Sequence, residues 1–239
     1  MQGYTRRQLK EDKFAETTKD AVQWTVGHQR TVVWAVGAVL VALAGYFAYS
    51  TWDTRQSEAA NAALGSAMRT FNDQLRPAGT PPVEGMQTFA GVAERARAAR
   101  KEFKAVADKY SYTKPGKIAR YMEGVAAMQA GDSAGAEQNL KAASDSSDKN
   151  ISALAKMALA SQYRASNKLS DATRIYKDLQ DHPTDTVSKA QAQLAMAEMY
   201  ENSDPQQAAS IYQQIQKENA DNPAGQFAAA RLATVRGSN

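Results

Sequence analysis

Residues 31–49 read TVVWAVGAVLVALAGYFAY, nineteen positions without a charge. Only Thr31, Gly37 and Gly45 fall outside the hydrophobic set. As a helix rising about 1.5 Å per residue, the run extends roughly 28 Å, close to the roughly 30 Å hydrocarbon core of a bilayer. The chain as a whole is polar, with mean hydropathy −0.55, so the run is not a crest in a greasy protein. A buried core helix is the alternative, and so long an uncharged stretch argues against it. Tyr46, Tyr49 and Trp52 gather at the downstream end, where amphipathic rings prefer the headgroup level. The run is therefore expected to be a transmembrane helix, the chain's one span.

Flanking charge sets its orientation. Residues 1–30 hold six Lys/Arg (Arg6, Arg7, Lys10, Lys13, Lys19, Arg30), and residues 50–79 hold three (Arg55, Arg69, Arg76). Positive charge stays on the cytoplasmic side, which puts the N-terminus there and the long C-terminal part across the membrane. A cleaved signal peptide is the competing reading, since Ala42-Leu43-Ala44 has the small-residue spacing that peptidases use. The thirty-residue leader and the long apolar run favour an uncleaved anchor. Ala35, Ala38, Ala42 and Gly45 recur at i, i+3, i+7 and i+10, a small-residue face against which another membrane helix could pack. Ala and Gly are also simply common in membrane helices. The leader could be a cytoplasmic helix continuous with the span or a membrane-surface helix.

Composition removes most catalytic chemistry. Without Cys there are no disulfides, thiol nucleophiles or zinc knuckles, and two His cannot build a His-rich metal site. Lys+Arg number 29 against 25 Asp+Glu, interleaved throughout, so no nucleic-acid footprint is expected. Phosphate loops, G-x-S-x-G elbows and H-E-x-x-H are absent. His182 sits in a turn beside Pro183, and the pair Asp178/Asp181 lies in a polar context. The chain is expected to be no enzyme and to use neither cofactor nor metal.

The remainder is rich in Ala, Gln, Lys and Glu, with no alternating strand pattern, which favours helices. Three segments repeat: GDSAGAEQNLKAA (131–143), NKLSDATRIYKDL (167–179) and SDPQQAASIYQQI (203–215). Each has a turn residue, Ala five positions on, and a bulky residue four beyond that. The alanines, Ala136, Ala172 and Ala208, are spaced by 36, and their partners are Leu140, Tyr176 and Tyr212. Ala99 and Phe103 form a weaker earlier copy. A small residue lets the second helix of a pair approach the first closely, and the large residue one turn later fills the space beside it. Asp204-Pro205 reads as a cap followed by Pro at the first helical position. Pro77, Pro81 and Pro82 break the chain after the span. The expected organisation is a leader over 1–30, a span over 31–49, a membrane-proximal helix and Pro-rich loop over 50–85, and a repeat domain over 86–239.

These helix pairs resemble tetratricopeptide repeats, with Gly124 at the small place of a first helix and Ala160 and Met196 standing there later. The fold this implies is all-α, an N-terminal transmembrane helix followed by an α-solenoid of degenerate repeat pairs. The leader TRRQLKEDKF, the single span and segments such as KEFKAVADKY are similar to the YfgM-like ancillary subunits of the Sec translocon. That resemblance implies a bacterial inner-membrane, single-pass protein with a periplasmic domain. Its implied partners are the translocon, periplasmic chaperones or nascent exported chains, and its implied role is a chaperone-like scaffold. A periplasmic scaffold for envelope assembly or cell division, or a structural subunit of another membrane complex, remains the alternative. Carrying the family's groove phase across gives Tyr121, Met128, Met157, Arg164, Gln193 and Tyr200 as protein-binding positions.

Overall fold

In a computed structural model, describing residues 28–77, 79–81 and 88–237, the apolar run lies inside one helix, α1 (Gln29–Asn72). Residues 1–27 of the leader expected over 1–30, and Pro82 of the loop, lie outside the described residues. The chain divides into two compact units, residues 1–55 and residues 56–239.

In the first unit, α1 is long and apolar enough to cross a membrane, with a best window of mean hydropathy 2.0. None of that window is buried. Val33, Trp34, Leu40, Val41, Tyr46 and Phe47 are all open to the surroundings. Past the run, Thr51 donates back to the Phe47 and Ala48 carbonyls and Thr54 to that of Ser50. These bonds absorb the hydroxyls within the helix, so it continues where the sequence turns polar.

The second unit begins with the tail of α1. Ala60, Leu64, Ala67 and Phe71 recur at i, i+4, i+7 and i+11, one helical stripe. They pack against α2 (Val92–Lys109), which turns Ala99, Phe103 and Val106 inward. The rings of Phe71 and Phe103 meet edge-on at 5.8 Å. Thr70 donates to Glu102 at 2.8 Å beside them. The weak copy carried by Ala99 and Phe103 is thus the second helix of a pair whose first helix is the α1 tail.

Three regular pairs follow: α3 (Lys114–Gln129) with α4 (Ser133–Ser144), α5 (Lys149–Ala165) with α6 (Leu169–Asp181), and α7 (Lys189–Tyr200) with α8 (Pro205–Glu218). A last helix, α9 (Pro223–Gly237), packs on α8 and α7. From α2 onward each helix packs on the next, and α3 also touches α5, the stacking of a solenoid. Among the described residues there are nine helices and no strand; Leu75 and Phe89 form one isolated bridge.

The repeat positions read from the sequence are where the pairs close. Ala136, Ala172 and Ala208 are fully buried, as are Leu140 and Tyr212; Tyr176 is nearly so. A Cβ on Gly124 would stand 2.6 Å from Leu140 Cγ, which is why the smallest residue fits there. Ala160 is buried at the same place one repeat later. Gly131 and Asn167, 36 apart, both adopt positive φ (77° and 56°), a conformation that Gly and Asn tolerate. In the third pair Ser203 and Asp204 both donate to the Tyr200 carbonyl instead, and Pro205 opens α8 behind the Asp204 cap. Asp132, Asp148 and Ser188 cap α4, α5 and α7 in the same manner.

Candidate functional site

The first helices of the pairs carry the candidate binding positions. Tyr121 and Met128 on α3, Met157 on α5 and Tyr200 on α7 are half-buried and pack against one continuous core, which runs from Leu140 through Tyr176 and Tyr212 to Val235. One side of each is therefore fixed by the scaffold while the other stays open. Burial pushes the Tyr121 phenol above its ordinary value, so the group stays neutral at physiological pH. Tyr200 is aimed by a 2.8 Å hydrogen bond between its hydroxyl and that of Thr173. Tyr163 holds the preceding repeat's version of this bond, reaching Glu137 at 3.3 Å.

The other two positions are placed differently. Arg164 is exposed at the rim of a cleft of about 590 Å³ lined also by Asn167, Leu169, Met199 and Asn202. Glu198 stands 3.9 Å from it. Gln193 is only 2% exposed, packed inside the array, and its Oε1 has no hydrogen-bond partner among the described residues.

Sequence reasoning missed Val125, Leu154 and Leu194. All three are half-buried and apolar; Val125 and Leu194 pack against the same core, and Leu154 packs with Met157 on the smaller Ala153–Leu179 cluster. Their signal was helical phase, for Val125 follows Tyr121 by four and Leu154 precedes Met157 by three. The first helices thus present a mixed aromatic, methionine and aliphatic surface in which Arg164 is the one cation among the positions named.

Two further clefts of about 380 Å³ each lie between paired helices. Gly116, Lys117, Arg120, Ala143 and Ser147 line one; Ser152, Ala153, Lys156, Leu179 and Pro183 line the other. Each of these five residues of the first precedes its counterpart by 36, so the clefts share one repeated frame. One cation in each is paired by the scaffold. Arg120 meets Asp108 at 2.7 Å and Glu123 at 3.0 Å, and Lys156 meets Asp178 at 2.6 Å. The bond from Lys156 is the main cause holding Asp178 below the usual carboxylate range. His182 is exposed, its Nδ1 3.2 Å from Asp178.

The sequence profile of the tetratricopeptide repeat-like domain family matches residues 23–175, more than half of the chain. The match takes in the apolar run and ends one residue before Tyr176. Helices α7 to α9 lie beyond it, yet Ala208 and Tyr212 keep the 36-residue spacing. No curated protein and no solved structure matches the chain.

Proposed function

This chain belongs to the tetratricopeptide repeat-like domain family, and from that premise we propose that it is a membrane-anchored scaffold that binds proteins in the service of export. A repeat fold of this kind typically serves as a non-catalytic protein-interaction scaffold. In our reading the protein is a chaperone-like accessory of the Sec translocon in a bacterial inner membrane. Residues 1–30 face the cytoplasm, residues 31–49 span, and the repeats stand in the periplasm. The excess of Lys and Arg before the span supports this orientation. The likeness of the leader and repeats to the translocon's ancillary subunits supports the choice of partner.

One observation carries the binding role: the row of half-buried Tyr121, Met128, Met157 and Tyr200 on successive first helices. Tyrosine offers a large contact at small entropic cost, and methionine adapts to irregular apolar shapes. Such a surface suits an extended or unfolded hydrophobic segment better than an acidic tail. In the span, Ala35, Ala38, Ala42 and Gly45 would form the contact with a second membrane helix.

A photo-crosslinking residue placed at Met128 or Tyr121 in native membranes tests the reading. Translocon components, periplasmic chaperones or exported chains are the expected adducts. Adducts dominated by division or outer-membrane assembly proteins would move the scaffold to those clients. A groove that yields no adduct, while Ala38→Leu with Ala42→Leu disperses a membrane complex, would make the protein a structural subunit instead.

A further inference from the structure

Charge is spread unevenly over the repeats. Residues 111–239 carry fourteen Lys+Arg and fourteen Asp+Glu. Helix α2 alone holds six Lys/Arg against Glu94, Glu102 and Asp108. Those three acids are engaged locally: Glu94 accepts from the Ala90 N–H, Glu102 from Thr70, and Asp108 lies between Lys104 and Arg120. Two of the cations are engaged as well, Arg95 donating to the Asp73 carbonyl and Arg100 pairing with Asp132.

Arg97 and Lys101, both exposed, have no acidic partner among the described residues, and Lys104 shares Asp108 with Arg120. At i, i+4 and i+7 the three form one stripe on the helix. The inward face of the same helix is Ala96, Ala99, Phe103 and Val106, buried toward the α1 tail. The stripe is thus a cationic face on the helix that packs against residues 56–72.

Only six residues separate Tyr49 from Gln56, a reach of about 20 Å even fully extended. The chain itself therefore keeps the first repeat pair within reach of any bilayer that holds the span. We propose that Arg97, Lys101 and Lys104 dock on anionic headgroups of that bilayer, an inference that rests on residues 31–49 being a span. An acidic protein is the rival occupant. Tethering favours the lipid surface, because the bilayer that holds the span is within reach whatever else binds. A diffuse anionic surface also suits exposed cations, of which Arg97 and Lys101 have no acidic partner among the described residues. Each Lys or Arg near such a surface strengthens association roughly fivefold, hence about a hundredfold for three, and salt screens the effect.

Because the chain has no Cys, one introduced thiol reports its own position. The test uses the full chain in nanodiscs of phosphatidylcholine, with or without phosphatidylglycerol, and a fluorophore on Ala105→Cys, an exposed α2 position. A fluorophore on Gln213→Cys, exposed on α8, is the control. In anionic discs at low salt, acrylamide quenching at position 105 should fall about threefold or more and recover when salt contracts the Debye length. Arg97→Gln with Lys101→Gln and Lys104→Gln should abolish the fall while the circular dichroism melt stays in place; the label at position 213 should not respond. Quenching at position 105 that ignores lipid charge overturns the inference. Protection that appears only on adding polyglutamate gives the face to an acidic protein and overturns it too. A chain that fails to co-elute with discs overturns the span and the inference together, so the two failures are separable.

Discussion

Two stretches of a single helix follow opposite rules. Over residues 31–49 of α1 the described apolar side chains point in every direction and none is buried. Over residues 56–72 one stripe, from Ala60 to Phe71, is turned inward, while Asn61, Ser66 and Arg69 are exposed. The backbone is helical in both. What differs is the solvent each surface is written for: an all-round apolar cylinder needs lipid, and a one-sided stripe needs a protein neighbour and water. The largest effect should come from violating the first rule. Leu40→Arg with Leu43→Arg should raise the cost of insertion by about 6–8 kcal/mol and release the protein from membranes in carbonate extraction. Asn61→Arg, exposed in the tail, should change neither extraction nor unfolding by more than about 0.5 kcal/mol. Equal sensitivity at the two sites would end the distinction.

The contrast sharpens with one residue type. Phe47 is 65% exposed and Phe71 is 9% exposed, twenty-four residues later in the same helix. Phe71→Ala removes the edge-on contact with Phe103 and leaves a cavity, so the repeat unit should lose about 3–5 kcal/mol in urea unfolding followed by circular dichroism. Phe47→Ala should leave that transition in place. If the two substitutions cost the same, the tail is not packed as described.

Much of this was legible in the sequence because it depends on spacing. Ala136, Ala172 and Ala208 with their bulky partners announce three helix pairs, and all six close the pairs they predict. The first pair was harder to see. Its two helices are separated by the nineteen residues of 73–91, which stretches the period, and its first helix is the continuation of an apolar run with a different purpose. Which side of each first helix stays open was harder to read. Periodicity fixes which residues face the same way along a helix, but the rotation between successive pairs decides which face the next pair covers. Leu194 is half-buried in the structure, while Gln193 beside it is sunk. The 36-residue register also predicts the paired clefts at Arg120 and Lys156, a pattern visible once the repeat is extended past its alanines.

Smaller substitutions probe the repeats, the region that obeys the second rule throughout. Gly124→Ala forces a methyl against Leu140, 2.6 Å from Cγ and 3.2 Å from its backbone nitrogen. The expected cost is about 1–3 kcal/mol, read from the urea midpoint. Ala160 already fills the equivalent place in the next repeat without such a clash, so Ala160→Gly should destabilise by about 1 kcal/mol instead. A neutral Gly124→Ala would mean that Leu140 swings aside and the α3–α4 pair is looser than its neighbours.

The smallest effect concerns a charge at the seam between two repeats. Glu137 on α4 accepts from Lys141 at 2.6 Å and from Lys168 at 2.8 Å, and both ammonium groups stand over the Tyr163 ring. The bond from Lys141, then that from Lys168, pulls its carboxyl from an ordinary 4.5 down to about 2. A carboxylate depressed by folding adds stability in full above its unfolded value and loses it as pH falls toward the folded one. Between pH 4.5 and 2 the wild-type protein should therefore lose stability more steeply than Glu137→Gln, while the variant is the weaker of the two at pH 7. The partners are partly exposed, so salt should blunt the difference. No comparable pH dependence can arise from residues 31–49, which contain no Asp, Glu, Lys or Arg. Parallel pH profiles for the two proteins over this window would show that the Glu137 cluster does not hold the seam.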